Sequence, residues 1–403
     1  MSMELTAKTP AGRDLVAIAE RLAGDLSERA GVHDREGSYP FESIDALRRA
    51  GYFSAPVPVE LGGLGVSSVH DVIVASGRLA RGDASVAIGV NMHLVVVLNL
   101  ERRWSMARAS DNAARERAFA GSLKAIAAEH VVLAAAMSEP GQDLTRPSTR
   151  AIRTQTGWRI DGHKIFCTMS PAATALLTSV AFETDDGVER YGYVQIPAAT
   201  PGLRINDDWD ALGMRASGSH SVTLENVELP ASALRGGFPA GDAVPYLERN
   251  LPSGLFHASA SLGIAEAAFA RAARPDRVGD DPRARMLVAE SVIDLSASRA
   301  VLSRAATLID EHHAANPARD GSDEEITALF AEGQAAKTFI NEAATRVVDR
   351  SLALSGGAGY TNGSPLARAY RDVRAGAFMH PLGANRAYSF LGDVALGRAH
   401  ALH

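Results

Sequence analysis

One cysteine, Cys167, among 403 residues rules out an intramolecular disulfide and any multi-thiolate metal site. No His-Glu-x-x-His pattern occurs, so catalytic zinc has no signature and no metal is expected. Charge of one sign is also scarce in excess. Lys+Arg is 41 against Asp+Glu 47, a formal net charge of −6, which leaves no electrostatic footprint for nucleic acid. No stretch reaches the ~18 consecutive apolar residues of a membrane span. The longest apolar runs, such as Leu94–Leu98, are core-sized. The opening MSMELTAKTP has no signal-peptide pattern. The expectation is a soluble, cytoplasmic protein in a reducing compartment. Hydrophobic residues at 46% and charged residues at 22% exclude a disordered or collagenous chain. The length suggests two to four domains.

The texture changes twice along the chain. Up to residue 130 it is helical. Leu15, Ile18, Leu22 and Leu26 recur at spacings of three and four, one apolar helix stripe. Val72–Leu100 is apolar and reads as buried helix, with Asp83 placed to interrupt it as a cap. From 131 to 240 short alternating runs are punctuated by Gly, Pro, Asp and Asn, the pattern of antiparallel strands. From 241 to 403 the pattern is helical again. Leu287, Val288, Val292, Leu295, Val301 and Leu302 mark one amphipathic face, and Ile326–Leu354 marks a second long helix. The fold class is therefore α+β, in the order helical, β, helical, with domains 1–130, 131–240 and 241–403.

Four segments carry residues suited to chemistry. Met137-Ser138-Glu139-Pro140-Gly141-Gln142-Asp143 is a polar turn entered from an apolar run, able to aim N–H groups and a hydroxyl at a ligand or to serve as a simple strand-end turn. Phe166 and Thr168 lie two apart after the Asp161-Gly162 turn signal, so they are expected on one strand face, where a ring and a hydroxyl suit a flat heterocycle. Core packing is the plainer role for Phe166, and Cys167 is expected on the opposite face, buried and inert. Leu212–Ser219, which includes Ser217, is a small-residue loop fit for ligand contact or for nothing more. Ser355-Gly356-Gly357-Ala358-Gly359-Tyr360 allows close backbone approach to a phosphate, or caps a helix. Arg371-Asp372 follows as a candidate local ion pair. No strand-Gly-x-Gly-x-x-Gly-helix unit is present.

In this order, the segments PVELGGLG (58–65), SEPGQD (138–143), GHKIFCTMS (162–170), LGMRASGS (212–219) and GGAGY with PLARAYRD (356–372) resemble the acyl-CoA dehydrogenase superfamily of flavoproteins, over about Arg13 to Gly397. The resemblance implies an N-terminal helical domain, a middle antiparallel β-barrel and a C-terminal four-helix bundle. It implies FAD between barrel and bundle, or FMN, in a homotetramer or homodimer. It puts Met137 and Ser138 near the flavin ring. Phe166 stands where the family commonly has Trp, and Thr168 supplies the hydroxyl near flavin N5. Gly356 and Gly357 face the cofactor of a neighbouring subunit. The departures are specific. The SEPGQD loop is two residues short and lacks a serine before Asp143. The family's flavin-binding Gln is Ala353. The arginine–aromatic–glycine segment is RPDRVGD (274–280), where Arg274 or Arg277, the latter our choice, would meet the cofactor.

The family's usual base, a glutamate, is also absent. Counted without a gap from Gly356, its position is His380, in Phe378-Met379-His380-Pro381. The alternative family position falls in LPSGLFHASASLG (251–263), which holds His257 and no carboxylate. Two reactions are then expected from the resemblance. The first is α,β-dehydrogenation of an acyl thioester on coenzyme A or a carrier protein, with His380 as base and an electron-transfer flavoprotein as acceptor. Histidine suits the task because its unperturbed pKa lies near neutrality. The second is two-component flavin monooxygenation of carbon, nitrogen or sulfur, using O2 and reduced flavin from a partner reductase. A non-catalytic flavoprotein, with His380 and His257 merely packed, is the third. His257 and Ser217 are candidate substrate contacts in either reaction.

Overall fold

The computed structural model describes residues 4–141, 143–234, 236–398 and 402. Five helices open the chain: α1 (Pro10–Glu36), α2 (Phe41–Arg49), α3 (Val69–Ala80), α4 (Ala84–Ala109) and α5 (Ala113–Ala127). The apolar stretch from Val72 to Leu100 is two helices, because Gly82-Asp83 breaks it. The Asp83 carboxylate accepts from the N–H groups of Ser85 and Val86, capping α4 as the sequence suggested. Gly82 passes so close to α1 that a Cβ would lie 2.2 Å from the Ala23 carbonyl oxygen.

Eight strands follow: β1 (Leu133–Ala136), β2 (Arg150–Arg153), β3 (Gly157–Cys167), β4 (Ala175–Glu183), β5 (Glu189–Pro197), β6 (Leu203–Ile205), β7 (His220–Pro230) and β8 (Phe238–Pro239). Their order is β6-β7-β3-β2-β4-β5-β8, with β1 paired to β4. Most pairs are antiparallel, as expected. The β1–β4 pair is parallel over four residues and β2 meets β4 in parallel at Arg150–Ala181. Both departures follow from connectivity: β3 lies between these strands in the chain, so the connection can cross over and need not turn tightly. Alternate residues such as Ile160, Val180, Val194, Val222 and Val227 form the inner face of this sheet domain.

The remaining helices are α6 (Val244–Arg249), α7 (Ser253–Ala272), α8 (Pro275–Val278), α9 (Pro282–Ala315), α10 (Asp323–Ser355), α11 (Gly357–Tyr360), α12 (Pro365–Asp372) and α13 (Ala384–Ala395). α10 starts at a capping box of Ser322 and Glu325 and packs on α7, α9 and α13. On α9, Leu295 and Leu302 are buried, but Val292 faces out beside Ile293. The inward register is Ser291, Leu295, Ser298, Leu302, which leaves Val292 one position out of phase.

α4 runs through the centre of the molecule. It is long and apolar enough to cross a membrane by length and composition, and here most of it is buried in the core. Three of its polar side chains reach five other segments. A Cβ at Gly89 would lie 3.5 Å from Met169 Cβ, in ordinary contact. Asn91 donates to the Phe256 carbonyl of α7 and accepts from Ser76 of α3. Asn99 donates to the Arg249 carbonyl at the end of α6. His93 Nε2 lies 3.1 Å from the Phe53 carbonyl and Nδ1 accepts from the Leu133 N–H at 3.0 Å. These partners assign the neutral Nε2–H tautomer. Burial pushes the ring's pKa down to about 4, against the pull of the two backbone bonds.

Replacing His93 by Leu strands one buried carbonyl and one buried N–H, so it should cost roughly 2–6 kcal/mol, read as a fall in the urea midpoint. The wild type binds fewer protons at His93 when folded than when unfolded. Its contribution to stability should therefore be complete above pH 6.5 and decline as pH falls toward 4, a slope that His93→Leu should lack.

Candidate active site

The candidate residues fall into three groups. The first lies on the rim of the sheet domain. The Ser138 carbonyl accepts from the Ile165 N–H at 2.9 Å, which sets this loop beside the end of β3. A buried ion pair holds it there. Lys164 Nζ is 2.6 Å from Glu139 Oε1 and also donates to the Ser179 carbonyl and hydroxyl. Glu139 accepts further from the backbone N–H and hydroxyl of both Ser148 and Thr149, at 2.6–2.9 Å. Burial opposes ionisation of Glu139, but the Lys164 charge and these bonds outweigh it and hold the carboxyl at about 2. The Ser138 hydroxyl and N–H have no hydrogen-bond partner among the described residues and remain available to a ligand.

Phe166 and Thr168 do not share a regular strand face. The β3–β7 register shifts between Lys164 and Cys167, and Phe166 adopts φ +56. A left-handed conformation is costly for an aromatic residue and marks a place where the surroundings over-determine the backbone. Its side chain is 60% exposed, so it is not a core residue. It meets Trp209 edge-on at 6.1 Å. Cys167 is buried as expected, and burial pushes its thiol up to about 12. Thr168 Oγ1 lies 2.9 Å from Ser219 Oγ, which lies 2.7 Å from Ser217 Oγ. Ser217 is thus the inner end of a hydroxyl chain, and the half-buried Thr168 is its outer end. Trp209, Ser219 and His220 belong to this rim and were not singled out from sequence. His220 Nδ1 accepts from the N–H groups of Asp208 and Trp209, and the Trp209 indole donates to the Met214 carbonyl. The aromatic so close to an Asn-Asp-Asp turn was the available signal.

The second group surrounds His380. Its Nε2 lies 3.0 Å from Asn250 Oδ1 and 3.2 Å from the Tyr246 hydroxyl. Asn250 Nδ2 donates to the Tyr246 carbonyl, which fixes the amide so that Oδ1 faces the ring. His380 is therefore the Nε2–H tautomer, with its Nδ1 lone pair unused by any described residue. Burial, then the nearby Lys337 charge, pushes this ring down to about 3, so it is uncharged at neutral pH. His257 lies inside α7, fully enclosed, and neither ring nitrogen has a partner among the described residues. Burial, then Lys337 and His380, holds it well below its ordinary value. The amide of Gln334 on α10 is equally buried and unpartnered. Asn250, Gln334, Lys337 and Tyr246 were not anticipated. They sit on ordinary amphipathic helices, and only helix packing brings them to His380.

α4 spaces these two groups. Gly89 touches Met169 beside Thr168, and Asn99 holds Arg249 beside Asn250. Ten residues separate the anchor points, about 15 Å along the helix axis.

The third group is the end of α10. Gly356 has φ +61 and ψ −158, a backbone region essentially confined to glycine. A Cβ at Gly356 or Gly357 would meet nothing within 4 Å. Both line an open concavity of about 500 Å³ with Asp349, Leu352, Ala353, Tyr360 and Tyr370. Arg274 is occupied by Asp276 in a two-bond pair, whereas exposed Arg277 has no partner among the described residues. Arg371 and Asp372 are not a local ion pair. Arg371 reaches Asp34 of α1, while the buried Asp372 accepts the Met214 N–H. Arg371 also donates to the Leu212 carbonyl, so both residues tie α12 to the 212–214 loop and Arg371 ties it to α1 as well. Gly213 allows this approach, since a Cβ there would lie 2.4 Å from the Arg371 backbone. Gln142, named with the Ser138 loop, is outside the described residues.

Lys164→Met leaves a buried carboxylate unpaired and should cost about 3–5 kcal/mol in urea unfolding. The double variant with Glu139→Gln should recover part of that loss. In the wild type, the folded state binds fewer protons at Glu139, so stability should fall as pH drops from 4.5 through about 2.

Residues 13–105 match the N-terminal domain of acyl-CoA dehydrogenases, 134–227 the middle domain and 254–384 the C-terminal domain. The chain is 36% identical to L-evernosamine nitrososynthase of a Micromonospora species, over 96% of this chain and 91% of that one. It is 34% identical to the amino sugar nitrososynthase DnmZ of Streptomyces peucetius, over 97% and 95%. It is similar to the structure of KijD3 in complex with FMN and dTDP-3-amino-2,3,6-trideoxy-4-keto-3-methyl-D-glucose, with TM-score 0.89 and 32% identity over 99% of this chain and 98% of that one. On these matches and this three-domain plan, the chain belongs to the acyl-CoA dehydrogenase superfamily of flavoenzymes.

Proposed function

We propose that this chain is a flavin-dependent monooxygenase that oxidises the amino nitrogen of a nucleotide-linked amino sugar. The observation that carries the reading is the set of groups around His380. Tyr246, Asn250, His257, Gln334 and Lys337 include no carboxylate. The family's dehydrogenases use a carboxylate to remove an α-proton. End-to-end similarity to two nitrososynthases supports the same direction.

The sheet rim suits a flavin. An exposed aromatic in a strained conformation, an unpartnered Ser138 hydroxyl and the Thr168 hydroxyl offer a flat face and edge contacts. Ser138, Phe166 and Thr168 would hold the ring, with Trp209 bracing Phe166 and Met137 adjoining. The Ser217–Ser219–Thr168 chain would orient the outermost hydroxyl. Arg277 is free to meet a phosphate. The open concavity at Gly356 and Gly357 would be completed by a second copy of the chain. Bound reduced flavin supplies the two electrons with which O2 is activated. In this reading those electrons come from a separate reductase.

The amine must be uncharged to use its lone pair. His380, held neutral, would offer its Nδ1 lone pair as a hydrogen-bond acceptor to the N–H of an already uncharged amine while Nε2–H stays on Asn250. One round converts amine, O2 and reduced flavin into hydroxylamine, water and oxidised flavin. A second round with another O2 and reduced flavin gives the nitroso compound and two waters.

With a flavin reductase, NADH and the dTDP-amino-keto sugar of the KijD3 complex, mass spectrometry should show gain of one oxygen atom, then the nitroso product. FMN and FAD are compared in parallel. No oxygenated product with either flavin would overturn the reading. Anaerobic bleaching of bound flavin by an acyl-CoA would establish dehydrogenation instead. His380→Leu, which removes that acceptor, should lower turnover roughly 10–100-fold with flavin binding unchanged.

A further inference from the structure

Lys337 is almost fully buried on the face of α10 that turns toward α7. Its stem passes where Gly254 has no side chain: a Cβ there would lie 3.3 Å from Lys337 Cδ and 3.6 Å from Pro381 Cδ. No carboxylate meets it among the described residues. Its Nζ donates instead to three backbone carbonyls of one short segment: Met379, His380 at 3.3 Å and Leu382 at 2.7 Å. Residues 379–383 belong to no helix or strand. They therefore lack a hydrogen-bond ladder of their own, and this clasp is their tether.

Three acceptors around one nitrogen match the three N–H groups of an ammonium, whereas a neutral amine would turn its lone pair on a carbonyl oxygen. Burial pulls the Lys337 amine down to about 7, and the clasp works in the opposite direction. The charged form is the one this geometry is built for. A buried cation with no counter-ion is expensive unless fully hydrogen-bonded. Here it is, and every bond it makes goes to the segment that carries His380.

We propose that Lys337 is a positioning residue for His380: its ammonium fixes segment 379–382 so that Nε2–H reaches Asn250. The groups that face the ring are Tyr246 and Asn250 from α6, His257 from α7, and Gln334 and Lys337 from α10. Arg386 of α13 acts on Tyr246. Lys337 is the nearby cation whose charge bears on the His380 ring, and no carboxylate opposes it. The use of Nδ1 in turnover rests on the monooxygenase reading. The link from Lys337 to the ring does not, and it is testable without substrate or flavin.

The experiment is histidine-selective nitrogen-15 labelling of the full chain, with His380→Gln to assign the His380 signals. Wild type should show a single neutral Nε2–H tautomer from about pH 6.5, where Lys337 is charged, down to about 5. In Lys337→Met, circular dichroism should show the fold retained, while the His380 nitrogens shift to a mixture of tautomers and the protonation midpoint rises by about one pH unit or more. Lys337→Arg, which keeps the charge, should move back toward the wild-type spectrum. A pure Nε2–H tautomer persisting in folded Lys337→Met would overturn the proposal. So would a wild-type His380 that is Nδ1–H or charged at neutral pH, a result that needs no variant to fold. Loss of sugar oxidation with these spectra as expected would count against the functional reading alone.

Discussion

A helix buried along most of its length cannot turn its few polar side chains to water. In α4, Asn91, His93 and Asn99 find partners in other segments. Asn91 binds α7 just before His257, His93 joins the Phe53 turn to the start of β1, and Asn99 holds the end of α6. The glycine at position 89 admits Met169. The cost of leaving such groups unpaired in a low-dielectric interior is what makes these four attachments obligatory. Through them one rigid rod sets the distance between the sheet rim and the His380 group. The two halves of the site are rigid with respect to each other because both are fastened to the same helix.

A second buried polar element does similar work on a smaller scale. The Glu139–Lys164 pair is fully surrounded by hydrogen-bond partners, which is the condition under which a buried ion pair is tolerable. It pins the Ser138 loop to β3 and leaves the Ser138 hydroxyl with nothing to bind. Lys337 follows the same logic with backbone carbonyls in place of a carboxylate. In each case a buried charge holds a loop in place. That arrangement suits an enzyme that positions a cofactor and substrate and leaves the redox chemistry to the cofactor.

Much of the fold was legible because burial imposes periods. The stripe Leu15, Leu22, Leu26 is buried in α1, and the alternating residues of the β region line one core. Asp83 was legible as a cap because a carboxylate before an apolar run has one obvious use. The site was less legible. Phe166 and Thr168 obey alternation on paper, and a register shift and one positive φ break it. Trp209 comes beside Phe166 only through the packing of a distant loop. Arg371, beside Asp372 in sequence, reaches α1 and the Leu212 carbonyl, while Asp372 takes the Met214 N–H.

The order of helical, β and helical regions, the motif series and the absence of a carboxylate at position 380 were set by the amino-acid sequence, since local periodicity and residue identity need no third dimension. The tautomer of His380, the tether of its segment and the availability of Ser138 were decided by tertiary structure. Each depends on which donor meets which acceptor across segments 25 to 130 residues apart, and hydrogen bonds act only at contact distance.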